Sequence, residues 1–278
     1  MAQATTLVSG LGMGESARWH DGEFYFADWT AGTISALDAA GNVRRVAGVP
    51  SFPITFDWLP DGRMAVVSGS DGTVLVEVPH AGLVPMASLR GLSPYPWNEI
   101  AVHPSGNIYV NGIGQDYAAE PEENGLIALI RPDGSAETVA ANLAFPNGML
   151  VSADGRSLVV AESNAGRLTS FDILPDGTLA PSHVWAAVEG SAPDGISWDG
   201  RGGIWFAEVP GERCVRVQEG GEVLQTVQLD DGCFSCATGG YDGGLLFMMT
   251  AQWPQAMDPG WEKTGRVMVQ RVLPPELP

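Results

Sequence analysis

Residues 145–172 read FPNGMLVSADGRSLVVAESNAGRLTSFD, and this stretch decides the fold. Asp154-Gly155 is a tight-turn pair, since Asp folds back on its own backbone and Gly accepts the left-handed conformations a turn demands. Short apolar runs flank it, Met149-Leu150-Val151 before and Leu158-Val159-Val160 after, and Gly166 announces a third run, Arg167 to Asp172. Segments this short, rich in Val and Leu and bounded by turn residues, are strands rather than helices.

The same cassette recurs along the whole chain. Turn pairs stand at Asp21-Gly22, Asp61-Gly62, Ser105-Gly106, Asp154-Gly155, Asp199-Gly200 and Asp242-Gly243, separated by 40 to 49 residues. Each precedes an apolar run: Phe24-Tyr25-Phe26, Met64-Ala65-Val66, Ile108-Tyr109-Val110, Leu158-Val159-Val160, Ile204-Trp205-Phe206 and Leu245-Leu246-Phe247. Six units of about 45 residues, each with several strands, specify an all-β, six-bladed β-propeller in one domain, residues 1–278. Gly (36) and Pro (20) are scattered throughout, which leaves no room for long helices. Thr5 to Val8 is the stretch available to add a strand to the last blade.

Composition narrows the function classes. A net charge of −19 and a pI of about 4.3 repel phosphate backbones and anionic lipid, so neither nucleic acid nor a membrane is an expected partner. No basic and apolar leader is visible in Met1 to Gly14, and three cysteines form no disulfide framework, so a cytoplasmic location is the expectation. There is no GxSxG elbow, no HExxH and no phosphate loop, and His20, His80, His103 and His183 are dispersed. Cys233 and Cys236 form a CxxC without a second pair, which reads as structural.

What the chain does offer lies five to seven positions ahead of each turn: Glu15, Thr55, Asn98 with Glu99 beside it, Asn147, Asp194 and Cys236. At equal phase in a propeller these residues sit at one mouth of the central channel. Asn147-Gly148 and Asp194-Gly195 also read as ordinary turn pairs, but isolated carboxylates and amides are costly in an apolar β-core, and four from different blades suit a cation. Glu15, Asn98, Asn147 and Asp194 would offer oxygen alone, which places Ca²⁺ first, ahead of Mg²⁺, Mn²⁺, Zn²⁺ and Fe²⁺.

GESARW (residues 14–19), FPNGMLVSADGRSLVVAES (145–163) and APDGISWDGRGGIWFAE (192–208) resemble the gluconolactonase/regucalcin (senescence marker protein) family along nearly the whole chain. The resemblance implies that Glu15, Asn147 and Asp194 bind the metal, that Asn98 serves metal or substrate, and that Asp194 is the base or nucleophile. A more distant likeness is to phosphotriesterase propellers. One departure matters. Sugar-lactone members carry an Arg two residues before the Asn, whereas this chain reads Pro96-Trp97-Asn98-Glu99. That favours a less polar substrate, with Trp97, Asn98, Glu99 and Phe145 on its wall. Insertions at residues 113–124 and 250–264 add Asp116, Tyr117, Trp253, Met257 and Trp261 as a candidate lid, and Trp29 and Phe234 share the same mouth by phase.

The expected function is a metal-dependent hydrolase of a lactone or related cyclic ester, taking a small-molecule substrate. The alternatives are a lyase, isomerase or phosphotriesterase on the same site, or a calcium-binding or interaction propeller without catalysis.

Overall fold

The computed structural model describes residues 3–115, 124–253 and 263–272. It is an all-β, six-bladed propeller built from six four-stranded antiparallel sheets. Strand β1 (Thr5–Leu11) comes first in the chain but belongs to the last blade. Blade 1 is β2 (Gly14–His20), β3 (Glu23–Asp28), β4 (Thr33–Leu37) and β5 (Val43–Gly48). Blade 2 is β6 (Ile54–Trp58), β7 (Met64–Ser68), β8 (Thr73–Val78) and β9 (Gly82–Ser88). Blade 3 is β10 (Glu99–Val102), β11 (Ile108–Gly112), β12 (Gly125–Ile130) and β13 (Ala136–Leu143). Blade 4 is β14 (Pro146–Val151), β15 (Ser157–Glu162), β16 (Arg167–Asp172) and β17 (His183–Ala187). Blade 5 is β18 (Pro193–Trp198), β19 (Gly203–Glu208), β20 (Arg213–Gln218) and β21 (Val223–Gln228). Blade 6 is β22 (Gly232–Gly239), β23 (Leu245–Ala251) and β24 (Gly265–Arg271), and β1 completes it by pairing with β24, Thr5 opposite Val269.

The sequence pattern follows from where each strand sits. Second strands such as β7 and β19 are buried along their whole length, and they read as apolar runs up to a polar last residue, Ser68 and Glu208. Outermost strands such as β5 are largely exposed and carry the charges. The turn pairs fall between first and second strands, with Gly22 and Gly62 both at φ 83°, a conformation glycine accepts without strain.

The chain divides into two compact units, residues 1–50 with 191–278, and residues 51–190. The first carries blades 1, 5 and 6. Its cores lie between blades 5 and 6 (Trp205, Cys214, Cys233, Cys236, Leu246, Met248) and between blades 6 and 1 (Phe24, Phe26, Phe247, Met249, Val267). Phe24 and Phe247 stack with centroids 4.6 Å apart. The second unit carries blades 2 to 4, with Val67, Leu89, Trp97 and Val110 between blades 2 and 3, and Tyr109, Leu129, Val160 and Phe171 between blades 3 and 4. Within each unit the first strands of the blades pack on one another, β2 and β18 on β22, and β6 and β14 on β10. No helix among the described residues is long and apolar enough to cross a membrane.

Candidate functional site

Three of the four expected metal ligands lie at or beside the same kind of defect in their strands, Asn147 and Asp194 within it and Glu15 on its edge. Pairing of β2 with β3 slips between Glu15 and Arg18, β14 with β15 between Pro146 and Met149, and β18 with β19 between Pro193 and Ile196. An extra residue on one strand breaks the ladder and re-aims a side chain. In β2 that residue is Ser16 at φ 52°, whose N–H donates to Glu15 Oε2 at 3.2 Å. Blade 6 slips as well, between Cys233 and Ser235.

In the first unit Glu15 and Asp194 are both buried. Their strands meet through Ser235 of β22. Its hydroxyl accepts the Ala17 N–H at 3.0 Å, and Gly195 lies so near that a Cβ there would stand 2.6 Å from Ser235 Oγ and 2.7 Å from its Cα. Only glycine admits that approach, so the Asp194-Gly195 pair, which also reads as a turn, is a packing contact inside β18. Cys236 is wholly buried in the core with Cys214 and Cys233. Burial pushes the Cys214 and Cys233 thiols up, which makes them poor nucleophiles.

In the second unit the register refines the reading of blade 3. Glu99 lies opposite Asn111 as Glu15 lies opposite Ala27, so Glu99, rather than Asn98, holds the phase of Glu15. Thr55, at the same phase in blade 2, donates its hydroxyl to Glu99 Oε1, which also accepts the Ile100 N–H at 2.8 Å. Asn98 donates through Nδ2 to Asn147 Oδ1 at 3.1 Å and to Pro146 O at 3.4 Å. With its nitrogen so engaged, Oδ1 is the atom Asn98 can offer a ligand, and Asn147 Oδ1 keeps a second lone pair. Sequence reasoning missed Asn111. Fully buried, it accepts the Glu99 N–H at 3.2 Å and donates to Asn147 O at 2.6 Å, joining blades 3 and 4. Its signal was an amide inside the apolar run Ile108–Gly112.

Taken unit by unit, the oxygens are of the kind hard cations prefer: carboxylates at Glu15 and Asp194 in the first, amide oxygens at Asn98 and Asn147 in the second. Among the described residues no group of three or more His, Cys, Asp or Glu side chains gathers as a metal cluster.

Trp97 requires a correction. The sequence reading set it on the substrate wall, but it is 1 % exposed and belongs to the core between blades 2 and 3. Its ring lies against Gly72 and Gly112, where a Cβ would stand 3.5 Å from Cδ1 and Cε3, and burial of so large an apolar surface stabilises the fold. Trp29 and Phe234 are buried too. Phe145 is half-buried at φ 57°, ahead of Asn147. Trp253 is 51 % exposed, its ring 6.1 Å from that of Phe234. Asp116, Tyr117, Met257 and Trp261 lie outside the described residues.

Residues 13–252 match the family described as SMP-30/Gluconolactonase/LRE-like region. A 6-deoxy-6-sulfogluconolactonase of Pseudomonas putida is 24 % identical over 273 residues, 95 % of this chain and 92 % of that one. A regucalcin of Gallus gallus is 27 % identical over 172 residues, 59 % of this chain and 57 % of its own length. A solved calcium-binding regucalcin of Agrobacterium tumefaciens superposes with a TM-score of 0.78 at 19 % identity, covering 98 % and 94 % of the two chains, a likeness of fold. With the family's span reaching from the first blade into the last, the chain belongs to the SMP-30/gluconolactonase family of β-propellers.

Proposed function

We propose that this protein is a metal-dependent hydrolase that opens a lactone or related cyclic ester. The observation that carries the reading is the recurrence of Glu15, Asn147 and Asp194 one residue after the position opposite the end of the second strand, each in or beside a bulge, in a chain that matches the family over residues 13–252. The relative that aligns with almost the whole chain is named as a lactonase. Glu15, Asn98, Asn147 and Asp194 would hold one divalent cation, Ca²⁺ by the hardness of the donors. When bound, such a cation polarises a carbonyl and stabilises the negative charge that develops on its oxygen. Asp194 keeps one oxygen for a water proton, Glu15 supplies charge, and the amides of Asn98 and Asn147 orient the site without adding charge. Pro96 stands where an arginine would grip a hydroxyl-rich or anionic group, so lactones lacking such a group are the proposed substrates. Trp97 is buried in the core, so the preference is argued from Pro96 alone.

A panel of apolar, aromatic and sugar lactones, with and without a chelator, tests the reading. We expect turnover that chelation abolishes and Ca²⁺ restores, with higher kcat/KM for the less polar lactones. Asp194→Asn, measured at saturating metal, should lose about two orders of magnitude in turnover, a usual loss for a positioned base. Metal binding with no lactone or ester turnover would identify a calcium-binding propeller instead, and an activity indifferent to chelation would overturn the metal.

A further inference from the structure

The blades that carry Glu15, Asn147 and Asp194 share a second feature. In each, the next strand ends on an acid: Asp28 in β3, Glu162 in β15 and Glu208 in β19. All three are buried, at 4 %, 0 % and 1 % exposure. Each accepts a backbone N–H from the segment leading into the ligand strand. Gly12 N donates to Asp28 Oδ2 at 2.9 Å, Ala144 N to Glu162 Oε2 at 2.8 Å, and Ala192 N to Glu208 Oε1 at 2.9 Å. In register the acid lies opposite the residue just before the ligand: Gly14, Pro146 and Pro193. The second strands of the other blades hold Ser68, Gly112 and Thr250 at this place, none of them an acid.

The remaining oxygens of the three acids are also satisfied. Glu162 takes Arg167 through both Nε and Nη2, and the Thr169 hydroxyl; Glu208 takes Arg213. Asp28 Oδ1 accepts the Thr30 hydroxyl and the Thr30 and Ala31 N–H groups. Burial pushes the Glu162 carboxyl up, but the Arg167 pair, the Ala144 N–H and Thr169 outweigh it and hold the group below its ordinary value. The reason for such an anchor is local. A bulge leaves ladder hydrogen bonds unmade, so the strand needs another attachment where the ligand side chain must be aimed. A bond from N–H to an ionised carboxylate is about twice as strong as one to a neutral acceptor.

We propose that Asp28, Glu162 and Glu208 are positioning residues, a carboxylate clamp repeated in the three blades that carry Glu15, Asn147 and Asp194, where it fixes the lead-in to each bulge and so the aim of these three side chains; blade 3, which carries Asn98, has no such acid. Its link to metal rests on the proposed function above; its hold on the backbone does not, and is tested in metal-free protein.

The experiment compares wild type, Glu208→Ala and Glu208→Gln by hydrogen–deuterium exchange of metal-free protein and by calorimetric titration with Ca²⁺. In Glu208→Ala we expect exchange over residues 191–196 to quicken about tenfold or more while residues 143–149 of blade 4 keep wild-type protection. Ca²⁺ affinity should fall about 10- to 100-fold, the usual range for groups that orient metal ligands. Glu208→Gln keeps a neutral acceptor for the Ala192 N–H, gives the same pattern at smaller amplitude, and carries the test if the alanine variant does not fold. Unchanged exchange over 191–196 overturns the clamp, and quickened exchange with unchanged Ca²⁺ affinity overturns its role in aiming ligands. Wild type that binds no Ca²⁺ defeats the metal reading alone, and exchange confined to 191–196 then still upholds the clamp.

Discussion

Trp97 shows how one side chain changes the substrate question. Beside Asn98 and in place of a polar stretch, it reads as a wall for an apolar lactone, yet it fills the space between blades 2 and 3 with Leu89, Val67 and Val110. Removing a buried indole leaves a cavity that its neighbours close only in part, so Trp97→Ala should lower unfolding free energy by about 3–5 kcal/mol. Chemical denaturation checks this, together with kcat/KM on two lactones of different polarity for Trp97→Phe. Reduced stability with an unchanged preference fits a core residue; an altered preference at full stability would return Trp97 to the substrate wall. Glu99 and Asn98 teach the complementary point. Glu99 opens β10 while Asn98 lies just ahead of it, so one residue decides which of them aligns with Glu15, and the register assigns that place to Glu99.

At the scale of elements, the ligand-bearing strands are defined by how closely they can approach. β18 lies against β22 because Gly195 has no Cβ to meet Ser235, whose Cα would stand 2.7 Å away. A side-chain oxygen can rotate aside but a Cα cannot, so Gly195→Ala must push the two strands apart. Overpacking of this kind costs about 1–3 kcal/mol. Thermal unfolding should show a lowered Tm for Gly195→Ala and none for Gly91→Ala, where a Cβ meets nothing within 4 Å. Equal midpoints for both would mean that β22 yields freely and does not brace Asp194. Ser235 strengthens the same junction through the Ala17 N–H, so one residue of β22 supports the strands of both Glu15 and Asp194.

At the scale of the molecule, blade 6 takes three strands from the end of the chain and one from its beginning. β1 pairs with β24 from Thr5–Val269 to Leu11–Gly265, and Val8 and Leu11 pack on the Phe24–Phe247 core. Deleting residues 1–9 would leave β24 with an open edge, the kind of edge that invites aggregation. Calorimetry and light scattering should show a Tm lower by several degrees and growth of large species; a truncated chain with wild-type Tm would show that β1 closes nothing. The blades, their order and the closing strand were all legible in the sequence, as was the recurrence of Glu15, Asn147 and Asp194 ahead of the turns. Turn pairs such as Asp154-Gly155 and runs such as Leu158-Val159-Val160 act over a few neighbouring residues, and local chemistry repeats wherever the residues repeat. The depth of Trp97, the phase of Glu99, the bridge made by Asn111 and the clamp made by Asp28, Glu162 and Glu208 were decided by tertiary structure alone. Each depends on a partner in another strand, across a bulge or a neighbouring blade, and burial and hydrogen bonding are properties of that meeting, which no single stretch of chain contains.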